Sequence, residues 1–376
     1  SSTTMLFRWR PRWVAILVPL IAWLCACESR EPLRVGFVGG LSGRVADLGS
    51  DGRNGALLAV AAFNQAGGIR NSPVQLVVRD DAQDPDTMIN AIEELAAAGV
   101  VAIIGPMTSS MAIVGRPVAE QHGLLMLSPT VTTASLTGRD DNFLRVSSDN
   151  LAYANFSARQ LLEKSGPMRL AACLDLGNHA YTESWLGAFT EGYTKRGGEI
   201  VARVAFTSDA DTEHAALIEQ MRAGDPDGLL FVASAVDTAR LAHEAKQQAP
   251  DLRLIAVEWS ATEALIELGG RAVEGLTLSN FFDRDSEAPA YLEFKQAYIE
   301  RFGREPGFGG TAAYDATYAL LSALKDSSAD LDLKQELLGT GEYPGLQQPV
   351  KFDRFGDAQR DIFLARIENG RYVVVR

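Results

Sequence analysis

The chain has 376 residues, 47% of them hydrophobic, which is length for two domains and apolar content for well-packed cores. Its 48 acidic residues outnumber the 35 basic ones, giving a formal net charge of −13 at pH 7. That balance argues against nucleic acid as a partner and otherwise bears on solubility.

The first segment does not read as part of a core. Arg8, Arg10 and Arg12 form a basic stretch, residues 14–24 an apolar one interrupted by Pro19, and Leu24, Cys25, Ala26 and Cys27 end it. This order is that of a secretory signal over residues 1–26, with Met5 as its expected initiator, and it is too short for a comfortable membrane span. The remainder carries 32 basic groups against 48 acidic ones, a net −16. The Leu-Cys-Ala-Cys run resembles the lipobox of bacterial lipoproteins. That resemblance implies an exported protein, lipidated at Cys27 and held at a membrane facing the periplasm or cell exterior. The alternative is a soluble secreted protein with two incidental cysteines. Beyond them only Cys173 remains, inside an apolar run, so no intramolecular disulfide is expected despite the oxidising compartment.

From Leu33 onward strands and helices alternate. A strand is expected over 33–38, and a helix over 51–65 with Leu57, Leu58, Val60, Ala61 and Phe63 on its apolar side, stopped by Gly67 and Gly68. A strand over 74–78 follows, then Asp84 and Pro85 as N-cap and first residue of a helix reaching 97. Strands over 101–104 and 124–127 flank a helix over 109–121, and a strand over 143–146 precedes a helix over 151–163. A second series has strands at 169–174, 200–206, 228–232 and 252–257, with helices at 179–195, 212–221 and 237–248 between them. Helices over 288–301 and 309–324 and a hairpin-like pair near 361–368 and 372–375 complete the chain. Such alternation implies parallel sheets with helices on both faces, and the strands are too many for one sheet, so two similar lobes are expected. No long linker is present, which favours a hinge between them.

Catalytic and cofactor signatures are missing, so the reading is a protein without enzymatic activity, metal or cofactor. The segment GFVGGLSG over 36–43 follows a strand but matches neither GxGxxG nor a Walker A loop, and Arg44 spoils GxSxG. The four histidines are scattered, with no zinc spacing. Asp80, Asp81, Asp84 and Asp86 lack the glycine and distal glutamate of an EF-hand loop, and helix capping explains them better.

A ligand site is legible at strand ends. Both turns after the strands at 101–104 and 124–127 lie at the carboxyl edge of a parallel sheet. The first leads into a helix N-terminus, where free N–H groups and the helix dipole favour an anion. Ser109 adds a hydroxyl there, and Thr130 and Thr132 add hydroxyls and carbonyls, a seat for a small carboxylate; ordinary capping is the alternative for either turn alone. Glu258 follows the strand at 252–257 between Val257 and Trp259. A carboxylate in such surroundings is costly unless paired, by a cationic ligand group or by a buried arginine. Tyr181 can face the same cleft or simply pack.

The segments LRVGFVGGLSGRVADLGSDGRNGALLAV, NQAGGI, VVRDDAQDPD, IIGPMTSS and MLSPTVTT, in that order, resemble the branched-chain amino-acid-binding proteins, the type I substrate-binding proteins of bacterial ABC importers. FGREPGFGGTAAYDATYALLSAL is a further matching block, and the likeness runs from Leu33 to about Lys325. The resemblance implies an α/β fold of two Rossmann-like lobes with parallel sheets joined by a hinge of three crossovers. Lobe 1 would comprise 33–150 plus about 280–342, and lobe 2 would comprise 151–279 plus about 343–376. It implies capture of an amino acid between the lobes and delivery to an ABC permease in the inner membrane. The family's carboxylate-binding serine falls on Ser109, its loop contacts on Thr130, through the carbonyl, and on Thr132. The acidic partner of the ligand ammonium falls on Glu258, and a cleft tyrosine on Tyr181.

Departures fall on the side-chain pocket. A first-loop tyrosine is replaced by Leu48, a second-lobe aromatic aligns near Ser234 or Ala235, and Trp259 stands where a small residue is common. The cysteine pair of some members is replaced by Gln83 and Thr108. Amino-acid backbone recognition is therefore expected to persist with a remodelled pocket for a neutral, aliphatic or otherwise apolar side chain. A binding protein that reports to a signalling partner, a binder of another small carboxylate, and a surface enzyme are the competing readings.

Overall fold

The computed structural model describes residues 30–327 and 332–376. The signal segment and Cys27 lie outside the described residues. The first sheet holds β1 (Leu33–Gly39), β2 (Val74–Asp80), β3 (Ile103–Ile104), β4 (Met126–Ser128) and β5 (Phe143–Arg145), all parallel, in the order β2-β1-β3-β4-β5. The second holds β6 (Arg169–Asp175), β7 (Glu199–Phe206), β8 (Gly228–Val232), β9 (Arg253–Ala256) and β10 (Thr277–Asn280). A ribbon of β11 (Glu342–Tyr343) and β12 (Val350–Lys351) stands apart, and β13 (Phe363–Glu368) and β14 (Arg371–Val375) return to the second sheet as an antiparallel pair. Its order is β14-β13-β10-β9-β8-β6-β7. The fold is α/β, two Rossmann-like lobes with parallel sheets joined by a hinge, the type I periplasmic binding protein fold.

The first lobe carries α1 (Ala46–Gln65), α2 (Pro85–Ala97) and α3 (Ser109–Gln121). The second carries α4 (Asn150–Ser165), α5 (His179–Thr194), α6 (His214–Arg222), α7 (Ala235–Gln248) and the short α8 (Glu263–Gly269). The chain then supplies α9 (Pro289–Phe302), α10 (Phe308–Asp326) and α11 (Leu333–Thr340), with α9 and α10 packed on α1. Residues 343–362 hold the ribbon and a loop tied to the first lobe, through Leu346 N–H to Asp315 and Arg145 N–H to the Gly356 carbonyl. The last segment therefore joins the second sheet at Phe363, later than the residue 343 expected from the sequence.

Most element positions follow the hydrophobic pattern, and the differences have local causes. α1 starts at Ala46 rather than Asp51 because Gly49 is a packing glycine and not a turn: a Cβ there would sit 1.8 Å from the Gly40 carbonyl oxygen. A Cβ at Gly55 would likewise meet the Gly310 carbonyl at 1.9 Å, so α1 and α10 approach backbone to backbone. The Asp51 carboxylate, half-buried between them, accepts from the N–H groups of Gly307 and Gly310 at the start of α10 and from Tyr298. The acidic run is a capping device, as expected. Asp84 accepts from Thr87 N–H at the start of α2, Asp80 from Leu41 and Ala82 N–H and the Ser42 hydroxyl, and Asp81 from Gln83. Thr108 Oγ1 donates to Gln83 Oε1 at 3.0 Å, so a hydrogen bond joins the two positions where relatives were expected to carry cysteines.

Candidate functional site

The carboxyl ends of β1, β3, β4, β6 and β9 converge on the cleft between the lobes. There a small cavity, about 20 Å³ in volume, is lined by Leu48, Met107, Thr108, Ser109, Thr130, Thr132, Asn178, Tyr181, Glu258, Trp259 and Phe308. The structure thus brings all six candidates chosen from the sequence — Leu48, Ser109, Thr130, Thr132, Tyr181 and Glu258 — to one cavity. That volume is far below the roughly 300–1,000 Å³ usual for small-molecule pockets, so the lobes close tightly over the site and must part to admit an amino acid.

The first-lobe wall is a donor surface. Ser109 opens α3, and its Oγ accepts from the backbone N–H groups of Thr132 and Thr133 at 3.4 and 3.2 Å. Two acceptor positions are filled, which leaves the hydroxyl proton to donate. Thr130 commits its own hydroxyl to the Met107 carbonyl at 2.6 Å, so the side chain braces the two turns against each other. The Thr132 hydroxyl is buried with no partner among the described residues, while its carbonyl accepts from Asn150 N–H at 2.6 Å.

The second-lobe wall carries the acid. Glu258 begins a short 3₁₀ turn after β9 and is 5% exposed. Oε2 accepts from Trp185 Nε1 at 3.1 Å, and Oε1 has no hydrogen-bond partner among the described residues. No basic side chain among them forms an ion pair with this carboxylate, so the buried arginine that was the alternative to a ligand cation is not there. Burial pushes the Glu258 carboxyl up to about 7. Beside it the Tyr181 hydroxyl is also buried and faces Glu258 without a well-formed hydrogen bond, and burial together with the Glu258 charge holds the phenol well above its ordinary range. Two polar atoms on one wall and one on the other thus face the cavity without protein partners among the described residues, which a bound polar ligand would satisfy.

Leu48, Met107, Trp259 and Phe308 form the apolar part of the lining. Trp259 meets Tyr181 edge to face at 5.6 Å, which fixes both rings. Sequence reasoning missed Trp185, Asn178 and Phe308. Trp185 was within reach, being four residues from Tyr181 on one face of α5. Asn178, whose Oδ1 accepts from Ser110 N–H across the cleft at 3.0 Å, and Phe308, which arrives at the start of α10, depend on contacts distant in sequence.

Known proteins share this architecture. The family described as periplasmic binding protein matches residues 32–371. The Leu/Ile/Val-binding protein BraC3 of Rhizobium johnstonii is 28% identical over 372 residues, covering 95% of this chain and 99% of its own. A leucine-binding protein from Thermotoga maritima superposes with a TM-score of 0.83 at 23% identity, covering 92% of this chain and 98% of that one. A solute-binding protein of an ABC transporter from Rhodopseudomonas palustris BisB5, in complex with 3,4-dihydroxybenzoic acid, superposes with a TM-score of 0.81 at 20% identity, covering 92% and 96%. The two structures support the fold; the family match runs through both sheets and every residue lining the cavity. The chain therefore belongs to the periplasmic binding protein family, whose members are extracytoplasmic solute-binding proteins.

Proposed function

We propose that this protein captures a zwitterionic α-amino acid with a neutral, apolar side chain between its lobes and delivers it to an ABC permease. In this reading a lipid on Cys27 holds it at the membrane. The observation that carries the proposal is the unpaired Glu258 oxygen in the same cavity as the free Ser109 proton. An α-ammonium would pair with Glu258 and Tyr181, and an α-carboxylate would accept from Ser109, Thr132 and the N-terminal N–H groups of α3. The apolar side chain would rest against Leu48, Trp259 and Phe308. The name of the Rhizobium relative supports the same ligand class.

A second reading, a binder of a simple aromatic or aliphatic carboxylate, is favoured by the Rhodopseudomonas structure. Charge separates the two. A ligand without an ammonium forgoes that pairing, and Glu258, already near 7, then stays protonated rather than charged, so the preference for an amino acid widens as pH rises. Calorimetric titration with L-leucine, with its deaminated analogue 4-methylpentanoate and with benzoate tests this. L-leucine should bind, the two acids should bind far more weakly, and Glu258→Gln should remove most of the difference. Acids binding the unmutated protein as tightly as leucine would sink the amino-acid assignment.

A further inference from the structure

We infer that Arg44 is a positioning residue for capture, an ionic latch that crosses the cleft and sets how readily the lobes close. Arg44 sits in the 3₁₀ turn Gly43–Val45 between β1 and α1, in the first lobe. Its Nη2 lies 2.9 Å from Asp175 Oδ2 at the end of β6, and its Nε lies 4.0 Å from Asp237 Oδ2 on α7, both in the second lobe. The two carboxylates are buried and Arg44 is 20% exposed, so the guanidinium reaches in from the cleft margin.

The second lobe is built to receive it. Asp175 Oδ1 is occupied by the N–H groups of Gly177 and Ser208, at 2.8 and 3.1 Å, which leaves Oδ2 facing Arg44 as an ion pair without hydrogen-bond geometry. Asp237 shares a hydrogen with His214 Nε2 at 2.7 Å and accepts from the Ser234 hydroxyl at 3.2 Å. A Cβ at Gly177 would stand 2.5 Å from Arg44 Nη2, so the guanidinium packs directly against the backbone of this turn. Without Arg44, Asp175 is left with the negative charge of Asp237 and no cation of its own, since His214 pairs with Asp237.

Neither Arg44 nor Asp175 nor Asp237 lines the ligand cavity. The contact therefore acts on the closing equilibrium and not on ligand recognition. Opening the cleft would return the guanidinium and both carboxylates to water, whereas closing joins them where salt screens them less. Apparent affinity scales with the closed fraction, so a contact formed only on closure tightens every ligand alike. A second ion pair across the lobes, Arg304 with Glu267 at 3.2 Å, is half exposed and contributes little by comparison.

The inference rests on the reading that ligand closes the lobes, and the experiment separates the two. Unmutated protein, Arg44→Met and Arg44→Lys are titrated with L-leucine at low and high salt, and the radius of gyration of each is measured by X-ray scattering with and without leucine. Arg44→Met should weaken leucine binding by about tenfold and flatten its salt dependence. Arg44→Lys should restore part of both, and the leucine-to-4-methylpentanoate preference should stay as in the unmutated protein. Leucine binding by Arg44→Met within twofold of the unmutated protein, with the same salt dependence, overturns the latch, as does a change in ligand preference. If the unmutated protein takes no leucine, the amino-acid reading has failed and the ligand-free radii decide. A larger radius for Arg44→Met then supports the latch, and equal radii overturn it.

Discussion

Arg360 and Asp315 form an ion pair 2.9 Å apart with both side chains only 1% exposed, at the point where the three links between the lobes meet. Arg360 Nε also donates to the Val146 carbonyl, its backbone N–H donates to Ser148 Oγ, and its guanidinium lies 5.5 Å from the centre of the Phe281 ring. Residues 146–148 lead from β5 to α4, Phe281 follows β10, and Arg360 precedes β13, so one side chain touches each crossover.

Removing one partner of this pair strands the other in a dry site. We expect Arg360→Met and Asp315→Asn each to lower stability by about 3–5 kcal/mol, measured as a shift of the denaturant midpoint at unchanged slope. The double change Arg360→Met with Asp315→Leu should recover part of the loss, because two apolar groups leave no orphaned charge. Single changes costing under about 1 kcal/mol would show that the crossovers do not depend on the pair.

Much of the fold and of the site was legible because both depend on strand ends. Alternation of short apolar runs with capped helices located β1, β8, α2 and α3, and parallel strands put Ser109, Thr130, Thr132 and Glu258 at carboxyl edges. Residues whose role comes from distant chain were not legible. Phe308 and Asp315 reach their places through the return of α10 to α1, and Arg44 meets Asp175 only across the cleft. β10 was missed because its four residues, Thr277–Asn280, include polar Ser279, which turns inward to share a hydrogen with Ser157 at 2.7 Å. Local pattern carries burial and direction but not the identity of a neighbour a hundred residues away.

Tyr181 offers a test in which stability and binding move in opposite directions. Its hydroxyl is buried with no well-formed hydrogen bond among the described residues, a cost of about 1–3 kcal/mol by the usual measure of an unmade hydrogen bond. Tyr181→Phe keeps the ring against Trp259 and removes that atom. The ligand-free protein should melt at the same temperature or higher, while L-leucine should bind more weakly and raise the melting temperature less. A lower ligand-free melting temperature would mean the hydroxyl has a structural partner instead.

The anchor is a matter of sequence alone. With Cys27 as the lipidated residue, Cys27→Ser should yield an unprocessed or released protein, and Cys25→Ser should remain membrane-bound. Fractionation with metabolic fatty-acid labelling checks both. Normal labelled lipoprotein from the Cys27 variant would place the lipid elsewhere.

The last prediction concerns pH and follows from the Glu258 carboxyl. Burial holds it near 7 in the folded protein, against an ordinary value of 4.5, so the folded protein binds this proton more tightly than the unfolded chain. The sign for stability follows: the contribution is fully present below about pH 4.5 and is lost as pH rises towards 7. An ammonium beside the carboxylate reverses the preference, since it favours the ionised form and lowers its proton affinity. Ligand capture should therefore release up to one proton near pH 6, and affinity for L-leucine should rise on the order of tenfold or more between about pH 5.5 and 7.5, then level off. Titration calorimetry in two buffers of different ionisation enthalpy reads the proton directly. Glu258→Gln should release none and show a flat profile across the window. A flat profile in the unmutated protein, with no proton released, would mean that the bound ligand brings no cation to Glu258.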